Sequence, residues 1–90
     1  MGREKVLFQS EEPKDIQSVS QFLHQLANKL AEKQVVLRQG AEELIITVPN
    51  NVVLELKVEE EDKKGKLQRS LEVEIEWIEG DNTDAGVTLG

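Results

Sequence analysis

Residues able to do chemistry are few in this chain, and their spacing decides what they can do. His24 is the only histidine and cysteine is absent, so a disulfide framework, a thiolate metal site and a cysteine nucleophile are all excluded. Helical spacing puts His24 roughly 130° from the centre of the apolar stripe of its helix, a solvent-facing position. Ser10, Ser18, Ser20 and Ser70 have no nucleophile elbow around them and no histidine expected nearby, so they read as turn and surface residues. Carboxylates abound, but acid/base pairs need environments that push two pKa values apart, which usually means burial. Glu72, Glu74 and Glu76 alternate with Leu71, Val73, Ile75 and Trp77, which places all three carboxylates on one face of a strand. That face is read as solvated. Glu59-Glu60-Glu61-Asp62 and Asp81-Asn82-Thr83-Asp84 are read as solvated charge rather than cation sites, and the second lacks the alternating ligands and terminal Glu of an EF-hand. No glycine-rich phosphate loop occurs, nor any interleaving of aromatic and basic residues for stacking nucleic acid. No catalytic, cofactor-binding or metal-ligating residue is therefore expected, and the chain reads as non-enzymatic.

Composition points the same way. Eighteen acidic against eleven basic residues give a net charge of −7, which disfavours nucleic-acid backbones and anionic membranes as partners. A solubilising surface is the plain reading of that charge; a negative surface that meets a basic protein is the sharper one. The start Met-Gly-Arg-Glu-Lys lacks an apolar signal core, and no apolar run approaches the ~20 residues of a membrane span, so a cytoplasmic location is expected. Ninety residues suffice for one domain with a thin core, since a chain of this size buries only about 60 to 65% of its unfolded surface.

The elements follow from periodicity. Lys5 to Ser10 reads as a short first strand, with Phe8 facing the core and Leu7 the opposite side; Glu11-Glu12-Pro13 ends it. Asp15 is a good N-cap for a helix from about Ile16 to Glu32, whose stripe of Ile16, Val19, Leu23, Leu26 and Leu30 is flanked by Phe22 and Ala27. The opposite half carries Ser20, His24, Gln25 and Asn28.

After Lys33-Gln34 the period becomes two, and four strands are expected. Gly40-Ala41 suits a type II′ hairpin that sets Val35 against Ile46, Leu37 against Leu44 and Arg38 against Glu43. A three-residue loop at Pro49-Asn50-Asn51, with Asn51 left-handed, is expected to pair Val48 with Val52, Ile46 with Leu54 and Leu44 with Leu56. A last hairpin through Asp62-Lys63-Lys64-Gly65 sets Leu54, Leu56 and Val58 against Leu71, Val73 and Ile75, with Lys57 near Glu72 or Glu74.

The expected fold is α+β: one helix on one face of a mainly antiparallel five-stranded sheet, in the order β-α-β-β-β-β. The first strand can lie parallel beside the second or antiparallel beside the last, and the latter is preferred. The domain is expected over 1–80, with 81–90 a flexible tail containing Gly86 and Gly90. The core is expected to hold Phe8, Leu23, Leu26, Leu30, Val73, Ile75 and Trp77. The sheet face away from the helix gathers Leu7, Val36, Ile45, Thr47, Val53 and Ile78, rimmed by charge, as at an interface. Scattered β-branched residues chosen for strand propensity are the plainer reading of those six.

Several of these pieces stand in a recognisable order: Phe8, the helix segment Phe22 to Leu30, Val36 to Gly40, Val48-Pro49, and Leu71 to Trp77. Over Lys5 to Gly80 the chain resembles the amphi-Trp domain family, small prokaryotic domains named for an amphipathic C-terminal segment closing on Trp. Ile16 departs from the charged residue expected after the cap. The resemblance implies a compact stand-alone fold and brings no activity, cofactor or catalytic residue with it. The expected role is a protein-binding or assembly module using the open sheet face or an edge strand; an acidic decoy that mimics nucleic acid toward a basic protein is the alternative.

Overall fold

The computed structural model describes residues 2–80. The expected tail over 81–90, with Asp81 to Asp84, lies outside the described residues. The chain is α+β, with α1 (Ile16–Ala31) followed by strands β1 (Gln34–Gln39), β2 (Glu42–Thr47), β3 (Val53–Lys63) and β4 (Lys66–Glu76). It divides after Val48 into two compact units.

In the first unit, Asp15 is extended (φ −77, ψ 163) and its carboxylate accepts the Ser18 N–H at 2.9 Å, satisfying one free amide of the first turn. Hydrogen bonds from the Ser18 side chain and N–H hold that carboxyl below its ordinary range. At the far end Lys33 takes the left-handed conformation (φ 65) usual for a glycine, and its N–H closes on the Leu30 carbonyl at 2.9 Å. The chain leaves that turn directly into β1. The Lys33 carbonyl then accepts the Val48 N–H at 2.9 Å, extending the β1–β2 ladder by one step.

The β1–β2 register is the one the alternation requires: Val35 opposite Ile46, Leu37 opposite Leu44, Arg38 opposite Glu43. Positive φ falls on Gly40 (58°) and not on Ala41, as a type II′ turn demands. Helix α1 packs on β1. Val35 and Val48 are buried, at 6% and 7% exposure, and Leu37, Leu44 and Ile46 on the same face are half-buried. Val19, Leu26 and Leu30 of the helix are half-buried with them, as is Phe8. Ile16 and Leu23, on the same stripe, remain exposed.

In the second unit β3 and β4 form a hairpin of two eleven-residue strands. Lys64 (φ 52) and Gly65 (φ 80) are both left-handed, the pattern of a type I′ turn, and the Asp62 carboxylate accepts the Gly65 N–H at 3.1 Å. Leu54, Leu56 and Val58 lie opposite Ile75, Val73 and Leu71, as expected.

Two expectations are corrected. The described strands form two 2-stranded antiparallel sheets, β1–β2 and β3–β4, in place of one five-stranded sheet. The pairs Val48–Val52, Ile46–Leu54 and Leu44–Leu56 do not form, and Asn51 does not take the left-handed conformation that loop requires. Lys5 to Ser10 is also not a strand, so the helix precedes all strands in the order. Val6-Leu7-Phe8 is a contiguous apolar run without a period of two. Phe8 is half-buried, while Val6 and Leu7 stay in solvent.

Candidate interaction surface

The β1–β2 hairpin has two unlike faces. One carries Val35, Leu37, Leu44, Ile46 and Val48 and is the covered one. On the other, Val36 and Ile45 are register partners, at 39% and 55% exposure. Two positions along, on the same face, Arg38 donates from Nε to Glu43 Oε2 at 2.7 Å. Both side chains are largely solvated, so the pair fixes geometry more than it stabilises. Thr47, opposite Gln34, is exposed at the end of this face.

Beside it runs a groove of about 510 Å³ lined by Phe8, Ser10, Phe22, Val36, Leu37 and Arg38, among others. The N-terminal segment supplies Phe8 and Ser10, helix α1 supplies Phe22, and β1 supplies Val36, Leu37 and Arg38. Both phenylalanines of the chain thus line one depression, together with Arg38. The sequence signalled Phe8 as core and Phe22 as a flank of the helix stripe; that they line a common groove is a tertiary relation, which periodicity does not reveal.

The six residues expected on the open sheet face divide between the units. Leu7, Val36, Ile45 and Thr47 belong to the first, Val53 and Ile78 to the second, and all six are exposed. Val53 lies opposite Glu76 and not beside Thr47, since β2 and β3 do not pair. Of the expected core, Phe8, Leu26, Leu30, Ile75 and Trp77 are half-buried, while Leu23 and Val73 are 50% and 57% exposed. Trp77 lies just past β4, and its indole N–H donates to Glu79 Oε2 at 3.2 Å.

The remaining chemistry-bearing groups are dispersed. Ser20 and His24, four residues apart, do share a shallow hollow on α1 with Ile16, Val19 and Leu23. Expecting no histidine near the serines missed this, although residues four apart always share a helix face. Among the described residues no three of His, Cys, Asp and Glu converge as a metal-ligand set. None of their helices is long and apolar enough to cross a membrane.

The acidic ladder is crowded. Glu74 lies directly opposite Glu55 and shares its face with Glu72 and Glu76. Repulsion from Glu76 first and Glu55 next raises its carboxyl above the ordinary glutamate range. Lys57, opposite Glu72, offers partial relief at 3.8 Å. A carboxyl whose pKa is raised by folding binds its proton more tightly in the folded state, so its contribution to stability improves as pH falls through that raised value. Asp15 acts in the opposite sense, losing its stabilising contribution only as pH falls through its depressed value. Glu74→Gln is thus expected to be more stable than the wild type at neutral pH, with the gap closing on acidification; urea midpoints at several pH values check this. The triple change of Glu72, Glu74 and Glu76 to Gln takes the net charge from −7 to −4. It should keep the fold and shift stability by no more than about 1 kcal/mol.

Comparison with known proteins identifies the family. A family model of the Amphi-Trp domain matches residues 1–90. The chain belongs to the Amphi-Trp domain family. No curated protein matches it, and no solved structure does. Within this Amphi-Trp domain, the alternating segment Leu71 to Trp77 is the second half of β4 and the residue after it.

Proposed function

We propose that this Amphi-Trp domain is a non-enzymatic protein-binding or assembly module that engages its partner with the uncovered face of β1–β2. The observation that supports the reading is the registered pair Val36–Ile45, exposed beside the Phe8–Phe22 groove and bordered by Arg38–Glu43. Apolar centre, aromatic neighbours and a charged rim are the anatomy of a protein interface. The experiment is affinity capture with the wild type and with Val36→Thr/Ile45→Thr, which keeps strand propensity while removing apolar surface. A partner retained at high salt by the wild type and lost by the double variant is the expected result. Equal capture by both proteins would refute this face.

A second reading, an acidic decoy for a basic protein, draws support from the crowded carboxylates around Glu74. It requires capture that falls steeply with salt and disappears in the Glu72/Glu74/Glu76→Gln variant.

A further inference from the structure

We infer that the apolar face of the β3–β4 hairpin is a self-association surface, on which a second copy of this chain packs face to face about a two-fold axis through the Leu56–Val73 pair. Three consecutive register pairs, Leu54–Ile75, Leu56–Val73 and Val58–Leu71, place six apolar side chains on one face. Five of them are 57% to 71% exposed, and Ile75 is half-buried. At on the order of 100 Å² of apolar surface for each side chain of this size, the six amount to about 600 Å². That reaches the upper end of the patches monomers leave in water, roughly 300 to 600 Å². Two such faces together exceed the ~1,000 Å² at which a specific interface begins. A two-stranded hairpin is marginally stable in water unless such a face is covered.

The reverse face is the poorer contact. It carries Glu55, Glu59, Glu61, Glu72, Glu74 and Glu76 against Lys57, Lys63 and Lys66, so two copies meeting there would bring together surfaces of net negative charge. The apolar face, in contrast, is self-complementary under the proposed axis. An axis along the inter-strand direction through Leu56–Val73 reverses each strand onto its copy. Val58–Leu71 of one copy then meets Leu54–Ile75 of the other. Four residues from the axis on either side stand Arg69 and Trp77, so the same operation brings Arg69 to the Trp77 of the second copy. Arg69 is held at 2.7 Å by Glu60, its register partner, and Trp77 gives its N–H to Glu79. A guanidinium so anchored suits the face of an indole. The surface is distinct from the β1–β2 face proposed above, and the two ideas fail independently.

The test uses the full chain, which has no cysteine to interfere. Sedimentation should show a mass rising from one chain to two with concentration, and Val73→Lys should weaken dimerisation at least tenfold while keeping the far-UV spectrum. A short bis-maleimide should link Val73→Cys, at the axis, and leave Glu74→Cys, on the reverse face, unlinked; this pair decides the matter even if the lysine variant misfolds. Val36→Thr/Ile45→Thr should dimerise like the wild type. A monomer at every concentration, or a dimer that survives Val73→Lys and is linked through position 74, would overturn the inference. A monomer whose Val73→Cys thiol resists maleimide would overturn it too, by placing the chain's own residues over the face.

Discussion

Replacing Val35 by aspartate is expected to unfold the first unit. Val35 and Val48 are the buried apolar residues among those described, and every other apolar side chain of the unit keeps some contact with solvent. Loss of a buried valine forfeits about 1.5 to 3 kcal/mol, and a carboxylate forced into its place adds a desolvation penalty of several kcal/mol more. A unit of about 48 residues has on the order of 5 kcal/mol or less to lose. Circular dichroism should report loss of the α1 signal. Val36→Asp is the control: one residue along, the side chain points to the uncovered face, and the helix signal should persist. An intact helix in Val35→Asp would mean that the two valines do not hold the unit together.

The contrast between Val35 and Val36 is also where the sequence was most legible. Strict alternation assigns the two residues to opposite faces, and the turn residues set the register: Gly40 for β1–β2, and Lys64-Gly65 for β3–β4. Both hairpins could be read because each local signal, period and turn chemistry, agrees with the other. The helix was legible for the same reason, from the Asp15 cap to the change of period at Gln34.

What could not be read were the relations that no local signal fixes. Val48-Pro49-Asn50-Asn51-Val52 offers an apolar parity that suits a hairpin, yet the pairing depends on one backbone conformation at Asn51, and asparagine visits the left-handed region without being bound to it. The segment Lys5 to Ser10 posed the same problem in another form: three consecutive apolar residues are compatible with a strand and with an irregular segment anchored by Phe8 alone. The groove that Phe8 shares with Phe22 depends on the path of that segment against α1 and β1, which no local signal fixes. The acidic ladder was legible as a solvated face, but the direct opposition of Glu55 and Glu74 needed the register of β3 with β4.

Trp77→Ala is expected to destabilise the second unit by about 2 kcal/mol. Full burial of an indole makes truncation cost about 3 to 5 kcal/mol, and the half-burial of Trp77 scales that down. Trp77 lies just past β4, two residues after Ile75, and both are half-buried. Its hydrogen bond to Glu79 is exposed and adds little, so Glu79→Gln should stay within about 0.5 kcal/mol of the wild type. Trp77→Phe should fall between, near 1 kcal/mol, since it keeps most of the apolar area. Because Trp77 is the only tryptophan, the melts must be followed by circular dichroism, at protein concentrations low enough to keep association from contributing. A loss under about 0.5 kcal/mol for Trp77→Ala would make the indole a surface group with no part in holding the hairpin's open end. A loss of about 4 kcal/mol would mean instead that it is fully enclosed in solution, and the residues enclosing it would then be the ones to identify by substitution.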